Sequence, residues 1–201
     1  MIVLVRHGRT DANRRGLLLG HADPALDDTG REQARALGAA LAHDLADRGP
    51  VRLVTSPLRR TAETAAEIAA ALKVEATPEP GLLEIDYGDW DERPLADIPA
   101  DAWRAWRGDP DFAAPGGESL RALQDRVGPC VERLLAEAAQ AGDRGVVVAV
   151  THVSPIKAAV VAALGGDPLL TWRLRVDVAS ITRLVSGPDG PVVVTFNERV
   201  R

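Results

Sequence analysis

The side chains of this sequence that could do chemistry stand directly after apolar runs. These side chains are Arg6, His7, Arg59, Arg60 and His152. Guanidinium groups neutralise a phosphoryl group, backbone N–H groups at helix N-termini donate to it, and a neutral imidazole can attack phosphorus. The combination therefore indicates phosphoryl transfer more strongly than any one of these residues does alone.

Two histidines in one region could instead hold a metal ion, so metal binding is the competing interpretation. Zinc would need a third protein ligand, and the arginines beside His7 and His152 would repel a cation. We therefore predict no metal site. The remaining histidines, His21 and His43, are expected in a loop and on the polar side of a helix, with structural roles only.

The apolar runs are typical of strands that are covered on both faces. Three of them alternate with helical patterns, and two more flank a turn at residues 186–190. This order indicates an α/β fold, and we predict a three-layer α/β/α sandwich around a mostly parallel sheet. In such sheets ligands bind beyond the carboxyl ends of the strands. The predicted strands are Ile2–Val5, Val51–Thr55, Val146–Val150, Ala179–Val185 and Val192–Phe196.

Polar residues before the helical patterns predict where the helices begin. Thr29 is expected as the N-cap of a capping box, and Ser56 and Ser154, each followed by proline, as the starts of two further helices. A longer helix is predicted over Glu118–Ala141, with a bend at Pro129. The arginines behind Ser56 then stand near the positive end of a helix dipole, a position that an anion nearby would stabilise.

Residues 1–201 are predicted to form a single domain, because no linker separates two halves of the chain. Residues 88–117 differ from the rest, since they are rich in Asp, Pro and Gly and contain Trp90, Trp103 and Trp106. We expect this stretch to be a lid-like excursion over one end of the sheet. Its tryptophans are expected to pack against the protein rather than to form a cage for substrate.

The composition limits the function classes. A formal net charge of -5 and a pI near 5.4 argue against a nucleic-acid partner, which would need a basic face. The single cysteine, Cys130, cannot form a disulfide within the chain and is expected as a buried structural thiol. With no signal-peptide pattern and no run near the roughly 18 apolar residues of a membrane span, we expect a cytoplasmic protein without a membrane partner. The oligomeric state is not predicted.

Four blocks of the sequence resemble the histidine phosphatase superfamily, which includes the cofactor-dependent phosphoglycerate mutases. Arg-His-Gly alone is a short and unspecific motif, whereas four blocks in the right order are a strong match. The resemblance spans about residues 1–165 and implies a phosphoglycerate mutase-like fold. The blocks are Leu4–Thr10, which contains Arg-His-Gly, Thr55–Ala65, Leu82–Trp90 and Val150–His152.

The resemblance implies a two-step phosphoryl transfer without a metal or a cofactor. Neutral His7 would attack phosphorus, while Arg6, Arg60 and His152 would hold the phosphoryl oxygens. Glu84 would protonate the leaving alkoxide and then deprotonate the water that cleaves the phosphohistidine. The rival acids are Asp86, Asp89 and Glu118.

Further positions in register with the family are expected to contact the phosphate. These positions are Asn13, Gly20 and Val153. Asn13 could equally be only a turn residue. The resemblance implies that Arg60 binds phosphate. Arg59 is then not expected to do so, because neighbouring helical residues point about 100° apart and cannot both point into the site.

Departures from the family pattern favour its compact phosphatase branch, which is similar to the α-ribazole phosphatase-like enzymes. Leu19 stands where mutases have a hydroxyl that contacts phosphate, and Asp91-Glu92 stand where the family often has Glu-Gly. We therefore predict a phosphomonoester hydrolase that acts on a small phosphorylated metabolite through a phosphohistidine. The alternatives are a phosphoglycerate mutase-type phosphotransferase and a non-catalytic phospholigand-binding protein.

Overall fold

A six-stranded sheet organises the computed structural model of this protein, which describes residues 1–49 and 51–200. Its strands are β1 (Ile2–Arg6), β2 (Val51–Thr55), β3 (Ala76–Pro78), β4 (Val146–Thr151), β5 (Ser180–Gly187) and β6 (Gly190–Arg199). They stand in the order β3-β2-β4-β1-β5-β6 across the sheet. The first four of these are parallel, whereas β5 and β6 form an antiparallel hairpin beside β1. The five predicted strands are confirmed, and β3 is a short edge strand that the sequence analysis did not predict.

Helices cover both faces of the sheet, because successive residues of its strands point to opposite sides. The helices are α1 (Asp11–Arg15), α2 (Asp28–Asp44), α3 (Arg59–Leu72), α4 (Ala100–Gly108), α5 (Leu120–Gln140) and α6 (Val153–Ala163). In β1, Val3 and Val5 belong to the apolar cluster with α2 and α3, whereas Ile2 and Leu4 belong to the cluster with α5 and α6. The three-layer α/β/α sandwich with a mostly parallel sheet is confirmed.

The central strand β1 places its carboxyl end beside that of β4. Arg6 at the end of β1 pairs in register with Thr151 at the end of β4. Because β1 and β4 are parallel, the residues that follow both strands come out at the same edge of the sheet. The chain therefore brings segments from its beginning and from its last third to one place.

The three N-caps predicted for α2, α3 and α6 are wrong by two residues each. The observed N-caps are Asp27, Leu58 and His152, in place of Thr29, Ser56 and Ser154. Asp27 accepts a hydrogen bond from the Gly30 N–H and so starts α2 before Thr29. Ser56 does not cap α3, because its hydroxyl is hydrogen-bonded to the His152 ring instead. The long helix is confirmed, with its start at Leu120 and with Pro129 inside it.

Residues 88–117 contain two single-turn 3₁₀ helices and α4. The rings of Trp103 and Trp106 meet edge to face at 5.2 Å, and Trp106 lies 4.8 Å from Trp172, which follows α6. Trp90 and Trp106 are buried in the core. We call these four tryptophans, which are all that the chain has, the tryptophan cluster. A lid-like function for the segment stays a prediction.

The structure also bears on the single thiol and on membrane spans. Cys130 is buried, and burial raises the pKa of its thiol to about 11, as suits a structural cysteine. Within residues 1–49 and 51–200, no helix has the length and apolar character needed to cross a bilayer.

Candidate active site

The predicted catalytic side chains meet at the carboxyl edge of the parallel strands. Arg6 and His7 come from the end of β1, His152 from the end of β4, and Arg60 from the first turn of α3. Glu84 comes from the loop that follows β3. The ring centroids of His7 and His152 are 5.2 Å apart. The fold thus assembles residues that are far apart in the sequence.

Close backbone packing holds the turn that carries His7. The His7 N–H donates to the Thr151 carbonyl at 3.1 Å, and the His7 carbonyl accepts from the Ala179 N–H at 3.0 Å. A Cβ atom at Gly8 would lie 2.4 Å from the carbonyl oxygen of Gly30 in α2. Only glycine at position 8 permits this approach, so the Arg-His-Gly motif has a steric as well as a chemical reason.

The hydrogen bond of the His7 ring determines which nitrogen is free. Nδ1 lies 2.7 Å from the Gly8 carbonyl oxygen. Since a carbonyl only accepts, Nδ1 carries the proton and Nε2 keeps a lone pair. Burial, reinforced by the charges of Arg6 and Arg60, lowers the pKa of His7 well below its ordinary value. The ring is therefore neutral near pH 7 and can act as a nucleophile.

His152 is held by partners at both ring nitrogens. Its Nδ1 accepts from Arg60 Nε at 3.1 Å, so its Nε2 carries the proton and donates to Ser56 Oγ at 2.8 Å. Burial, followed by the charge of Arg60, lowers the pKa of His152 well below its ordinary value. This second ring is therefore also neutral, and its orientation is determined on two sides.

The adjacent arginines have different environments. Arg60 is fully buried, and its two Nη atoms donate to the carbonyls of Gly20 and Ala22 at 2.7 Å each. Each Nη has a second N–H that these bonds do not use. Arg59 is exposed and pairs with Glu63 one helical turn later, at 2.7 Å. Of the two, only Arg60 points into the site.

Arg6 has one buried donor without an acceptor. Its Nη1 donates to the Val176 carbonyl at 2.7 Å, whereas its buried Nε has no hydrogen-bond partner among the residues described. Burial lowers the pKa of Arg6, and the Glu84 carboxylate opposes that shift. Buried donors are almost always paired in folded proteins, so the unpaired Nε suggests that a ligand supplies the acceptor.

Glu84 is almost completely buried, with 2% of its surface exposed. Its Oε1 accepts from the Ile85 N–H at 2.8 Å and from the Ser154 N–H at 3.2 Å. Burial raises the pKa of Glu84, although these bonds and the nearby arginines oppose the shift. A carboxyl group with a raised pKa stays protonated to higher pH and can therefore serve as a general acid.

The three rival acids lie in more exposed or paired positions. Asp86 is partly exposed and accepts from the Gly88 N–H at 2.8 Å, and Asp89 is exposed. Glu118 pairs with Arg126 at 2.8 Å. Glu84 is the only one of the four carboxylates that is buried next to the histidines, which favours it as the acid.

The three further phosphate contacts expected from the family have distinct positions. Asn13 Oδ1 accepts from the Thr10 N–H in a capping box, which leaves its Nδ2 as a donor. The Gly20 N–H already donates to Asp91 Oδ1 at 2.7 Å. Val153 is the first residue of α6, where backbone N–H groups have no partner within the helix. Their contacts with phosphate stay predictions.

Two side chains that support the site were not predicted to do so. Ser56 orients His152, although its position before proline suggested only a helix cap. Asp91 binds the N–H groups of Gly20 and Ala22 at 2.7 Å each, and so fixes the loop whose carbonyls hold Arg60. The departure from the family pattern at Asp91 pointed to this residue. Its contact with Gly20 could not be predicted, because the two residues are 71 positions apart in the sequence.

The charges of the site suit an anion. Two guanidinium groups and two neutral imidazoles surround one buried carboxyl group. In the part of the chain that the structure describes, no group of three or more His, Cys, Asp or Glu side chains is placed to hold a metal ion. The guanidinium groups are the charges available to bind a phosphoryl group.

Comparison with known proteins bears on the same residues. A sequence model of the histidine phosphatase superfamily (branch 1) matches residues 2–199. Phosphoserine phosphatase 1 of Hydrogenobacter thermophilus is 34% identical over 184 residues, which cover 89% of this chain and 83% of that protein. A bifunctional protein of Mycobacterium tuberculosis is 32% identical over 186 residues, which cover 90% of this chain and 49% of that protein. The chain thus spans about half the length of this last relative.

A solved structure extends the similarity to the fold. The complex of mycobacterial glucosyl-3-phosphoglycerate phosphatase with VO3 matches with a TM-score of 0.84 at 31% identity. The match covers 98% of both chains. The arrangement of the sheet and helices described above is therefore close to that of a known phosphatase.

Proposed function

This chain belongs to the histidine phosphatase superfamily (branch 1), and from that premise we propose that it hydrolyses small phosphomonoesters through a phosphohistidine on His7. The observation that carries the proposal is the state of the His7 ring. It is buried and neutral, its Nδ1 proton is held by a carbonyl, and its Nε2 is free beside two guanidinium groups. The names of the phosphoserine and glucosyl-3-phosphoglycerate phosphatases support small phosphorylated metabolites as substrates.

In the first step, the Nε2 lone pair of His7 attacks phosphorus. A phosphorus–nitrogen bond forms as the bond between phosphorus and the leaving oxygen breaks. Glu84, whose pKa is raised by burial, gives its proton to that oxygen, so the product leaves as an alcohol. The positive charge of the phosphorylated ring is balanced by the phosphoryl group and by the newly ionised Glu84.

In the second step, ionised Glu84 removes a proton from water. The resulting hydroxide attacks phosphorus, the phosphorus–nitrogen bond breaks, and its electron pair returns to His7 Nε2. Inorganic phosphate leaves, and Glu84 is protonated for the next cycle. One carboxyl group thus acts first as an acid and then as a base.

Positive charge and N–H donors hold the transferred group in both steps. Arg6 has an unpaired buried Nε, and Arg60 has unused Nη protons. The N-terminus of α6, at Val153, adds backbone donors and the positive end of a helix dipole. These preorganised charges do the work that a metal does in many other phosphatases, so we propose a metal-independent reaction.

The test is hydrolysis of p-nitrophenyl phosphate by protein that has been dialysed against EDTA. We expect full activity in the chelator, and a phosphate adduct on His7 that is labile in acid and stable in base. His7→Ala should abolish turnover and adduct, whereas His43→Ala, which removes an exposed histidine, should abolish neither. Activity that vanished in EDTA and returned with magnesium or zinc would contradict the proposal.

Two alternative functions predict different results when phosphoglycerate is added to the assay. A phosphoglycerate mutase-type enzyme would transfer the phosphoryl group to a second phosphoglycerate faster than to water. A non-catalytic binding protein would bind inorganic phosphate without forming the adduct. Product analysis with an excess of phosphoglycerate therefore separates the three functions.

A further inference from the structure

The loop that carries Glu84 has main-chain carbonyls that secondary structure does not satisfy. Residues 83–87 lie between the 3₁₀ turns Pro80–Leu82 and Gly88–Trp90 and form neither a strand nor a helix. Buried carbonyls in such a segment must find donors elsewhere in the protein. Side chains from three different elements supply these donors. The position of the proposed acid therefore depends on residues that are distant from it in the sequence.

Arg126, near the start of α5, supplies most of these donors. Its Nη1 donates to the carbonyls of Gly81 and Leu83 at 3.0 Å each, and its Nη2 lies 3.5 Å from the Glu84 carbonyl oxygen. Its Nε and Nη2 also donate to the two carboxylate oxygens of Glu118, at 3.1 and 2.8 Å. All five N–H groups of the guanidinium are thus used within the protein. Arg126 therefore acts on the loop rather than on a phosphate.

Glu118 ties this guanidinium group to a further point of the same loop. Its carboxylate accepts two parallel hydrogen bonds from Arg126, an arrangement that fixes the geometry of the pair as well as stabilising it. Its own N–H donates to the carbonyl of Asp86 at 2.8 Å. Only 27% of the Arg126 side chain and 18% of the Glu118 side chain are exposed, so solvent screens the pair less than an ion pair at the surface.

Two further donors act on the same stretch of backbone. Thr151 Oγ1, at the end of β4, donates to the Leu82 carbonyl at 2.6 Å. The ring nitrogen Nε2 of His21 lies 3.0 Å from the Glu84 carbonyl oxygen. Together with the guanidinium of Arg126, these groups occupy four successive carbonyls of the loop. The backbone of Glu84 is therefore fixed by α5 and by the loop that follows α1.

The orientation of the Glu84 carboxyl group follows from the position of this backbone. Its Oε1 accepts from the N–H of Ile85, the next residue of the loop, and from the N–H of Ser154 in α6. A general acid must lie within hydrogen-bond reach of the oxygen that it protonates. A displacement of about 1 Å can cost about 100-fold in rate. A group that holds the loop in place therefore contributes to proton transfer without touching the substrate.

We propose that Arg126, paired with Glu118, is a positioning residue for the general acid, because it holds the loop that presents Glu84 to the leaving oxygen of the substrate. The inference rests on the proposed function. It gives Glu118, one of the rival acids, a supporting role in place of proton transfer. Arginine suits this role because its planar group has five donors, whereas lysine has three.

The test uses two substrates of nearly the same shape that need the acid to different degrees. Phenolate is a more basic leaving group than p-nitrophenolate, so phenyl phosphate depends more strongly on protonation by Glu84. We expect Arg126→Met to reduce kcat/KM at least about tenfold for phenyl phosphate and less than about threefold for p-nitrophenyl phosphate. Arg126→Lys should restore part of this difference. An equal loss on both substrates would overturn the inference.

A double substitution tests whether Arg126 acts through Glu84. In Glu84→Gln the acid is absent, so adding Arg126→Met should leave the ratio of kcat/KM between the two substrates unchanged. A ratio that still changed in this background would show that Arg126 acts by another route, and the inference would be wrong.

A matched control lies in the same helix. Arg121 is exposed and pairs with Asp111 at 2.6 Å. Arg121→Met should therefore change kcat/KM for either substrate by no more than about twofold. A loss in Arg121→Met that matched the loss in Arg126→Met would overturn the inference.

Hydrogen exchange of the backbone amides gives a measurement that does not need turnover. Arg126→Met should speed exchange within residues 81–86, including that of the Ile85 N–H, whereas Arg121→Met should not. If the protein hydrolysed neither ester, the proposed function would fail, and faster exchange would still show that Arg126 holds this loop. Unchanged exchange in Arg126→Met would overturn the positioning role itself.

Discussion

At the scale of single residues, Arg60 connects more parts of the candidate active site than any other of its side chains does. We expect Arg60→Ala to reduce kcat/KM by about 100-fold or more, because it removes a preorganised charge and releases His152 and the loop at residues 20–22. Arg59→Ala should change kcat/KM by no more than about threefold, since Arg59 pairs with Glu63 at the surface. Steady-state kinetics on p-nitrophenyl phosphate measures both. Losses of equal size would show that the two arginines have been assigned wrongly.

Glu84 should affect substrates according to their leaving groups. Glu84→Gln should reduce hydrolysis of an alkyl phosphate by roughly 10²–10⁴, because an alkoxide needs a proton in order to leave. It should reduce hydrolysis of p-nitrophenyl phosphate less, and the variant should accumulate phosphohistidine, because water then lacks its general base. Rapid quench with a phosphate-labelled substrate measures the adduct. The same loss on both substrates, in a folded variant without adduct, would transfer the role to Asp86, Asp89 or Glu118.

The pKa shifts of the same residues predict a direction of pH dependence. His7 must be neutral, and its pKa is well below 6.5, so protonation of the nucleophile should limit kcat/KM only at pH values well below 6.5. Glu84 must be protonated, and its pKa is raised above 4.5, so kcat/KM for alkyl phosphates should fall as pH rises through that raised value. Glu84→Gln keeps a neutral side chain and should lack this alkaline fall. If kcat/KM of Glu84→Gln still fell at alkaline pH as it does in the unmodified protein, the assignment of Glu84 as the general acid would be wrong.

Most residues of the candidate site could be located because each stands near the end of a recognisable apolar run. His7 and His152 needed only the rule that ligands bind at the carboxyl edge of parallel strands, whereas the choice of Arg60 over Arg59 needed the resemblance to the family. Their supporting contacts could not be predicted, because these contacts join loops distant in the sequence. The carbonyls that hold Arg60 and those that Arg126 holds are evident only once the chain is folded.

At the scale of elements, two helical glycines should respond to alanine in opposite ways. A Cβ atom at Gly108, the last residue of α4, would have no other atom within 4 Å. We expect Gly108→Ala to raise the free energy of unfolding by up to about 0.5 kcal/mol, because alanine loses less entropy in a helix. Gly38→Ala in α2 should lower it by about 1–3 kcal/mol, since its Cβ would lie 2.8 Å from the Glu67 carbonyl oxygen of α3.

Urea unfolding of the two variants measures both effects, and each variant serves as the control for the other. Both substitutions replace a helical glycine by alanine, so the difference in sign reports whether the surrounding structure leaves room for a Cβ atom. If both variants were stabilised, the close contact of α2 with α3 at Gly38 would be wrong.

The elements themselves were predictable to different degrees. Strands β1 and β4 are apolar runs buried on both faces, whereas β2 includes the exposed Arg52; the bounds of all three followed from hydrophobicity to within one residue. The helix starts did not, because several polar residues near each start could act as caps. Asp27 and Thr29 compete for the start of α2, and the outcome depends on tertiary packing against Arg9. The short strand β3 has too few residues to show a pattern.

At the scale of the whole molecule, the two buried neutral histidines should make stability depend on pH. In the unfolded chain His7 and His152 would bind protons below roughly pH 6.5, whereas their lowered pKa values keep them neutral in the folded state. The free energy of unfolding should therefore fall as pH decreases below 6.5, by about 1.4 kcal/mol per unit for each histidine. Glu84, whose pKa is raised, has the opposite sign and offsets part of this loss.

Urea unfolding at pH 7.5 and 5.5 measures this dependence. His152→Gln should reduce the loss of stability between the two pH values, because it removes one of the protons taken up on unfolding. His43→Gln should not, since that side chain is exposed. A protein equally stable at both pH values would show that the histidines can be protonated without unfolding.

The central place of β1 in the sheet has a consequence for how the protein is made. Its two neighbours, β4 and β5, begin at Val146 and Ser180, so the ribosome produces β1 long before either partner strand exists. During that interval both edges and both apolar faces of β1 are unpaired, a state prone to aggregation. The proposed nucleophile, His7, therefore follows a strand whose two neighbours are both made after it, so the site can be enclosed only once β5 has been synthesised.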